Sequence, residues 1–203
     1  MTILIINNYY KEKNLSRANK ITEALLRVGW DNYEMLSFKD IDEKKLLDNF
    51  KAIILSGSAA SFADPKNEPD YSVEIEIVKK NEIPLLGICF GHQLIGKAFG
   101  SKLRSLENYV KDFKNVEVLE PNEIFASWCT GAKIMLSQYH KDYLTNLPKD
   151  FVLLARSDSR KIEAMKHKTR PIYGIQAHIE RADDTHPEGR QILENFLSNV
   201  VGY

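Results

Sequence analysis

Short apolar runs alternate with helical patterns along the first half of the chain, and this alternation restricts the fold more than any other feature. The runs are rich in β-branched residues, as expected of strands buried on both faces of a sheet. They are Ile3–Ile6, Tyr33–Leu36, Ala52–Leu55 and Leu85–Cys89. Apolar spacing between and after them predicts helices over Ser16–Val28, Ile41–Phe50, Tyr71–Lys80 and Gly91–Phe99. Such alternation predicts an α/β fold, a parallel sheet with helices on both faces.

The pattern changes after Gly100, where the apolar runs become shorter. Val116–Leu119, Ile134–Leu136 and Val152–Ala155 are predicted to be strands of a small antiparallel addition. A final helix is predicted from about Pro187 to Val200. The 203 residues contain no internal repeat, linker or low-complexity segment, so residues 1–203 are predicted to form one domain.

Composition excludes several classes of function. Lysine plus arginine and aspartate plus glutamate each number 28, so the formal charge is zero and a nucleic-acid partner is not expected. No apolar stretch approaches the ~20 residues of a membrane helix, and the apolar N-terminus lacks the features of a signal peptide. The two cysteines are too few for a disulfide framework, which indicates a reducing, cytoplasmic compartment.

Cys89 lies where a buried strand gives way at once to a helix. The sequence there is Gly87-Ile88-Cys89-Phe90-Gly91, and glycines two positions on either side permit a sharp, strained turn that exposes a nucleophile. At a helix N-terminus, backbone N–H groups favour a thiolate and can bind an oxyanion. A packed structural cysteine is the alternative, but the two glycines and the immediate helix favour a nucleophile.

A cysteine nucleophile needs a base, and the base needs an orienting group. Of the five histidines, His178 has the most suitable surroundings. The segment from Ile172 to Glu180 is predicted to be a strand, in which residues two apart point to the same face. Glu180 could therefore hold the His178 imidazole while its other nitrogen faces the thiol. A surface strand pair is the alternative for an isolated His-x-Glu.

The segments Gly87-Ile88-Cys89-Phe90-Gly91-His92-Gln93 and Gly174-Ile175-Gln176-Ala177-His178-Ile179-Glu180 resemble the two signatures of class I glutamine amidotransferases. The resemblance covers nearly the whole chain. It implies a flavodoxin-like, doubly wound domain in which Cys89 is the nucleophile, His178 the base and Glu180 the orienting residue. It also implies glutamine as substrate and a γ-glutamyl thioester as intermediate. No cluster of residues has metal-ligand spacing and no glycine-rich loop is suited to phosphate, so neither a metal nor another cofactor is expected.

Further site residues follow from the same resemblance. Backbone N–H groups near Gly57 and Ser58, together with that of Phe90, would form the oxyanion hole. The residues expected to bind glutamine are Gln93, Gln138, Tyr139 and His140. For Gln138-Tyr139-His140, whose backbone would hold the amino acid end, an ordinary turn at the end of a strand is the alternative.

The chain departs from the family pattern at three places. Ile179 replaces the usual proline, and Ser58 stands where many synthase-bound members have a second glycine. A second His-x-Glu occurs at His186-Pro187-Glu188. We interpret this second pair as a capping box that begins with Thr185, because a helical pattern follows directly.

Two functions remain open at this stage. The stretch from His167 to Gly174 and the tail Thr185–Leu197 resemble the glutaminase part of GMP synthases, which favours a glutaminase subunit that serves a separate ATP-pyrophosphatase synthase subunit. The alternative is a free-standing hydrolase of γ-glutamyl amides or peptides, which Gly57-Ser58 and the Cys89 motif also resemble. A degenerate fold retained as a binding module is disfavoured by the intact Cys89, His178 and Glu180.

Overall fold

In the computed structural model, which describes residues 2–11, 14, 16–42, 50–157 and 162–202, nine strands form one mixed sheet. In chain order they are β1 (Ile3–Asn7), β2 (Tyr33–Ser37), β3 (Ala52–Leu55), β4 (Leu85–Ile88), β5 (Leu103–Val118), β6 (Lys133–Leu144), β7 (Phe151–Arg156), β8 (Ala164–His167) and β9 (Ile172–Ile175). Their order across the sheet is β2-β1-β3-β4-β9-β8-β7-β5-β6.

The first five strands in this order, β2 to β9, are parallel, and every later pairing is antiparallel. The parallel half therefore has the strand order of a flavodoxin-like sheet, with ligands expected at the carboxyl ends of its strands. The predicted α/β fold with an antiparallel addition is confirmed.

The described α-helices are α1 (Asn19–Arg27), α2 (Ser72–Lys80), α3 (Phe90–Ala98) and α4 (Glu188–Phe196). Helices α1 and α4 pack into one hydrophobic cluster, and α2 and α3 pack into another. Alternate residues of the central strands divide between the two clusters, as Ile3 and Leu4 do, because successive side chains of a strand point to opposite faces. The predicted helices on both faces are thus confirmed. None of the helices that the structure describes is long and apolar enough to cross a membrane.

The antiparallel part is larger than predicted. Strand β5 begins at Leu103, not at Val116, and β6 continues to Leu144, so the two form a long hairpin. Most of β5 before Val116 is exposed, its register with β6 shifts between Ser105 and Val110, and Asp112 has a positive φ of 82°. Because that stretch buries neither face, it lacks the apolar pattern from which strands are recognised. Strand β8 is absent from the sequence prediction.

The predicted helix Ile41–Phe50 lies mostly outside the described residues. The last helix is also different from its prediction: α4 ends at Phe196 and a π-helical turn, Leu197–Val201, follows it. The end of α1 agrees with the sequence, since Gly29 adopts the left-handed conformation (φ 84°) that terminates a helix.

Candidate active site

Cys89 is the single residue between β4 and α3. Its φ and ψ are 51° and −99°, a conformation that costs a residue with a side chain about 1–3 kcal/mol. The Cys89 N–H donates to the Ile175 carbonyl oxygen (2.8 Å), which continues the pairing of β4 with β9 into the turn. The strained turn that the sequence predicts is therefore present, and its strain lies on the cysteine itself.

The glycines of this motif serve a different purpose from the predicted one. Neither Gly87 nor Gly91 has a positive φ. A Cβ on Gly87 would lie 2.6 Å from the Gly91 carbonyl carbon and oxygen, and one on Gly91 would lie 2.6 Å from the Leu55 carbonyl oxygen. Both glycines are needed because the backbone of α3 packs directly on β4 and β3, so they provide space rather than conformational freedom.

His178 and Glu180 meet, although not as neighbours on a strand. Strand β9 ends at Ile175, and Ile179–Arg181 forms a 3₁₀ turn, so the predicted strand through Glu180 is wrong. The turn brings the Glu180 carboxylate back toward the preceding side chain, and His178 Nδ1 lies 2.6 Å from Glu180 Oε1. Both residues are buried. The His178 N–H donates to the Ser137 carbonyl oxygen on β6 (2.8 Å), which fixes this backbone against the hairpin.

The electrostatics of this pair favour a charged imidazole. Burial alone lowers the pKa of His178, but the nearby Glu180 carboxylate and Cys89 outweigh burial and raise that pKa to about 10. Burial likewise raises the pKa of Glu180, but His178 outweighs it and holds this pKa below its usual range. Glu180 and Cys89 thus both favour the protonated imidazole over the neutral one.

Gly57 and Ser58 lie beside this cluster on the loop after β3. A Cβ on Gly57 would lie 3.0 Å from both His178 Cε1 and Tyr9 Oη, so a side chain would not fit without a shift of these groups. Ser58 Oγ donates to the Asn8 carbonyl oxygen (2.7 Å), which ties the loop to the end of β1. Phe90 begins α3, where the first backbone N–H groups have no partner within the helix.

A cavity of about 420 Å³ opens over Cys89 and His178. Among the residues expected to bind glutamine, Gln93, Tyr139 and His140 line it. Gln138 does not line the cavity, because its side chain points toward the β7–β8 connection and donates to Glu163 Oε2 (3.1 Å). Gln93 Nε2 donates to the Asp142 carbonyl oxygen (2.9 Å), which links α3 to β6.

Three residues at the site were missed in the sequence. Tyr9 lies at the end of β1, where burial, followed by Cys89 and Glu180, raises its pKa. Gln176 Nε2 lies 3.7 Å from Cys89 Sγ. The Asp142 carboxylate lines the cavity and accepts hydrogen bonds from Ser61 and Ser105. Polar residues at the carboxyl ends of parallel strands are a signal that could have identified Tyr9 and Gln176.

The second His-x-Glu pair lies away from the cavity. His186 stacks on Phe113 with ring centroids 4.0 Å apart. The predicted capping box is wrong: α4 has Pro187 as its N-cap with no side-chain cap, and Glu188 Oε1 instead accepts from the Met135 N–H. Asp183 accepts from the N–H groups of Thr185 and His186, so the side chain that holds this turn is Asp183 and not Thr185.

This fold and site define a class of protein that comparison with known sequences identifies. The family model "Glutamine amidotransferase class-I" matches residues 4–200. The chain belongs to this family and is a glutamine amidotransferase.

Individual relatives have names that are more specific than that of the family. The chain is 42% identical to a protein of Methanosarcina barkeri that is named as a subunit of glutamine-hydrolysing GMP synthase, over 100% of this chain and 98% of that protein. It is 35% identical to the protein of the same name in Methanosphaera stadtmanae, over the full length of both. A crystal structure from Thermoplasma acidophilum, assigned as the corresponding GMP synthase subunit, covers 100% of this chain and 95% of its own, with 27% identity and a TM-score of 0.83. A glutamine amidotransferase from Thermotoga maritima shares the fold at 17% identity, with a TM-score of 0.80 and coverage of 100% and 99%.

Proposed function

We propose that this chain hydrolyses the side-chain amide of glutamine and delivers the ammonia to a separate synthase subunit, with Cys89, His178 and Glu180 as its catalytic triad. One observation carries the assignment of the triad. Cys89, on a strained strand-to-helix turn, lines the same cavity as His178, whose Nδ1 lies 2.6 Å from the buried Glu180 carboxylate. Nucleophile, base and orienting group thus stand in the order that acyl transfer requires.

In the first half of the reaction, Cys89 attacks the amide carbon of glutamine as the thiolate. The amide oxygen becomes an oxyanion, which the N–H groups of Ser58 and Phe90 stabilise at the helix N-terminus. The His178 imidazolium then gives its proton to the amide nitrogen. The C–N bond breaks, ammonia leaves, and a γ-glutamyl thioester remains on Cys89.

In the second half, the neutral His178 takes a proton from water as that water attacks the thioester. Collapse of the second tetrahedral intermediate breaks the C–S bond, and glutamate leaves. Cys89 returns to the thiolate beside the His178 imidazolium. Glu180 stabilises that imidazolium in both halves and keeps the ring in one orientation.

The cavity also suits the amino acid end of glutamine. An α-ammonium group requires an anion, and the Asp142 carboxylate lines the cavity on the same strand as Tyr139 and His140. Charge-assisted hydrogen bonds of this kind are the strong ones. We therefore assign the α-ammonium group to Asp142, and the neighbouring backbone of β6 to the rest of the amino acid end.

The proposed partner is the ATP-pyrophosphatase subunit of a GMP synthase, with xanthosine monophosphate as the ammonia acceptor. The support for this choice is that both full-length relatives are named as glutamine-hydrolysing GMP synthase subunits. Their names do not favour the alternative of a free-standing γ-glutamyl hydrolase. We place the protein in the cytoplasm, because its two cysteines fit a reducing compartment. Its zero formal charge gives no reason to expect a nucleic-acid partner.

Addition of an ATP-pyrophosphatase subunit with ATP and xanthosine monophosphate should raise glutamine hydrolysis by about tenfold or more, which corresponds to a coupling free energy of ~1.4 kcal/mol or above. The physical reason is a population shift of the loop that holds Gly57 and Ser58 toward its active arrangement. Glutamate and ammonia release, measured with and without the partner, test this. Full activity of the isolated chain, unchanged by the partner and higher on γ-glutamyl peptides, would favour the free-standing hydrolase instead.

Glu180→Gln should move the alkaline limb of the kcat profile to lower pH. The carboxylate raises the pKa of His178, so without its charge the imidazolium loses its proton at a lower pH than about 10. The rate of glutamate release as a function of pH measures the shift. Glu188→Gln is the matched control, because Glu188 belongs to the second His-x-Glu pair, away from the cavity; equal shifts in the two variants would contradict the assignment of Glu180.

A further inference from the structure

Glu74 is a carboxyl group almost fully enclosed in the protein, with 1% of its surface exposed. It lies in the first turn of α2, and its Oε1 accepts a hydrogen bond from Asn8 Nδ2 (3.1 Å). Its Oε2 has no hydrogen-bond partner among the described residues. Acidic side chains are almost never buried to this extent unless they are paired. The position of Glu74 beneath the loop after β3 therefore calls for an explanation.

A continuous chain of hydrogen bonds leads from Glu74 to the peptide beside the nucleophile. Asn8 Nδ2 donates to the Ser56 carbonyl oxygen (3.2 Å) as well as to Glu74, and the Asn8 N–H donates to Ser56 Oγ (2.9 Å). Ser56 Oγ in turn donates to the Gly57 carbonyl oxygen (2.8 Å). The Glu74 and Asn8 side chains thus hold the Ser56 backbone, and the Asn8 backbone N–H holds the Ser56 hydroxyl that fixes the Gly57 carbonyl.

The carbonyl orientation determines where the next N–H points. In a trans peptide the C=O of Gly57 and the N–H of Ser58 point in opposite directions, so the bond to Ser56 Oγ directs the Ser58 N–H away from that hydroxyl. Ser58 lines the cavity, and its N–H donates to none of the groups that the structure describes. This N–H is therefore held available for an oxyanion.

We propose that Glu74 is a positioning residue for the oxyanion hole, which acts through Asn8 and Ser56 to hold the Gly57–Ser58 peptide in the orientation that the reaction needs. The inference rests on the proposed glutaminase function. It adds a residue of α2, remote from the substrate, to the groups that determine the rate of the chemical step.

The protonation state of Glu74 affects the stability of the fold. Burial raises the pKa of Glu74 to about 8, and the hydrogen bond from Asn8 opposes this only in part. The ionisable group that interacts with Glu74 is Tyr71, which in turn interacts with Tyr10 and Asp70. No lysine or arginine among the described residues lowers the pKa of Glu74. The folded state keeps the Glu74 proton to a higher pH than the unfolded state does. The contribution of Glu74 to the free energy of unfolding is therefore full below about pH 4.5 and is lost as pH rises toward about 8.

The test compares Glu74→Gln and Glu74→Leu with the wild-type chain. Glutamine keeps the oxygen that accepts from Asn8, so kcat near pH 6.5 should stay close to the wild-type value. Leucine fills similar space but removes the acceptor that, with the Ser56 carbonyl, holds the Asn8 amide in place. We expect kcat to fall about tenfold or more with little change in KM, since misplacement of an oxyanion donor affects the transition state. Glu76→Leu is the matched control, because Glu76 lies two residues further on the same helix with its side chain 49% exposed.

Two further measurements separate positioning from general destabilisation. Alkylation of Cys89 by iodoacetamide forms no oxyanion, so its rate should be unchanged in Glu74→Leu although kcat falls. The second measurement is thermal unfolding, and kcat of Glu74→Leu should be low at temperatures where that variant is fully folded. Unchanged kcat in Glu74→Leu, or equal losses in kcat and in alkylation, would each overturn the proposal.

Failure of the proposed function would look different. In that case the wild-type chain would release no glutamate, with or without the partner subunit, and Cys89→Ala would behave as the wild type does. A chain with Cys89-dependent glutaminase activity that Glu74→Leu leaves intact would refute only the role of Glu74.

Discussion

Replacement of Cys89 by alanine or serine should abolish glutamine hydrolysis while the protein remains folded. The thioester cannot form without the sulfur, and removal of a nucleophile leaves only the small residual catalysis of the oxyanion hole. The structural loss is minor. Alanine deletes a single buried atom, which lies 3.7 Å from Gln176 Nε2, and serine retains a hydrogen-bonding group there. Glutamate release and the thermal unfolding curve together check both parts of the prediction.

Covalent labelling supplies the control within the same chain. Cys129 is a free and exposed cysteine, whereas Cys89 is free and buried. A general alkylating reagent should therefore modify Cys129 readily, but a glutamine-analogue electrophile should label Cys89. Labelling of Cys129 alone by the glutamine analogue would refute the assignment of the nucleophile.

Cys89→Gly offers a second control that depends on the backbone rather than on the sulfur. Glycine adopts φ 51° without a Cβ clash, so it should recover part of the ~1–3 kcal/mol of strain at this turn, less the entropy cost of glycine. The variant should be as inactive as Cys89→Ala and more stable than it. A lower melting temperature than that of Cys89→Ala would contradict the view that the turn stores strain.

The parallel half of the fold could be predicted because its sequence signal is local. Strands such as Ala52–Leu55 are buried on both faces, and helix α1 has its apolar residues at helical spacing and ends at Gly29. The residues of each element therefore carry the pattern that identifies it as a buried strand or a helix. The hairpin of β5 and β6 lacks such a local pattern, because the exposed part of β5 is held by pairing with β6, a partner distant in sequence.

The candidate site could be predicted in its residues but not in its geometry. The motifs around Cys89 and His178 are contiguous in sequence, so their chemistry could be recognised. The geometry of both motifs differs from the prediction. Gly87 and Gly91 provide space between backbones, and a 3₁₀ turn joins His178 to Glu180. Packing between separate elements determines both features. The position of Tyr9 beside Gly57 also depends on the approach of β1 to this loop, which no local pattern specifies.

His178→Ala should lower kcat by about 10³-fold or more, as loss of a triad base does. Without the imidazole, the site loses the group that lies 2.6 Å from the Glu180 carboxylate and gives a proton to the departing ammonia. The loss should appear in kcat at every pH, since the missing group moves the proton in both halves of the reaction. Steady-state glutamate release across the pH range measures it.

His186→Ala is the matched control, because it removes a histidine from the second His-x-Glu pair. His186 stacks on Phe113 and lies near Asp183, so its loss should cost about 0.5–1.5 kcal/mol of stability, the scale of an aromatic pair. The chemical step should be nearly unaffected, because the His186 ring contacts the β5 hairpin and not the residues around Cys89. Equal losses of kcat in the two variants would mean that the triad includes the wrong histidine. A large loss in His178→Ala alone assigns the base to the turn that follows β9, where the Glu180 carboxylate is 2.6 Å from the ring.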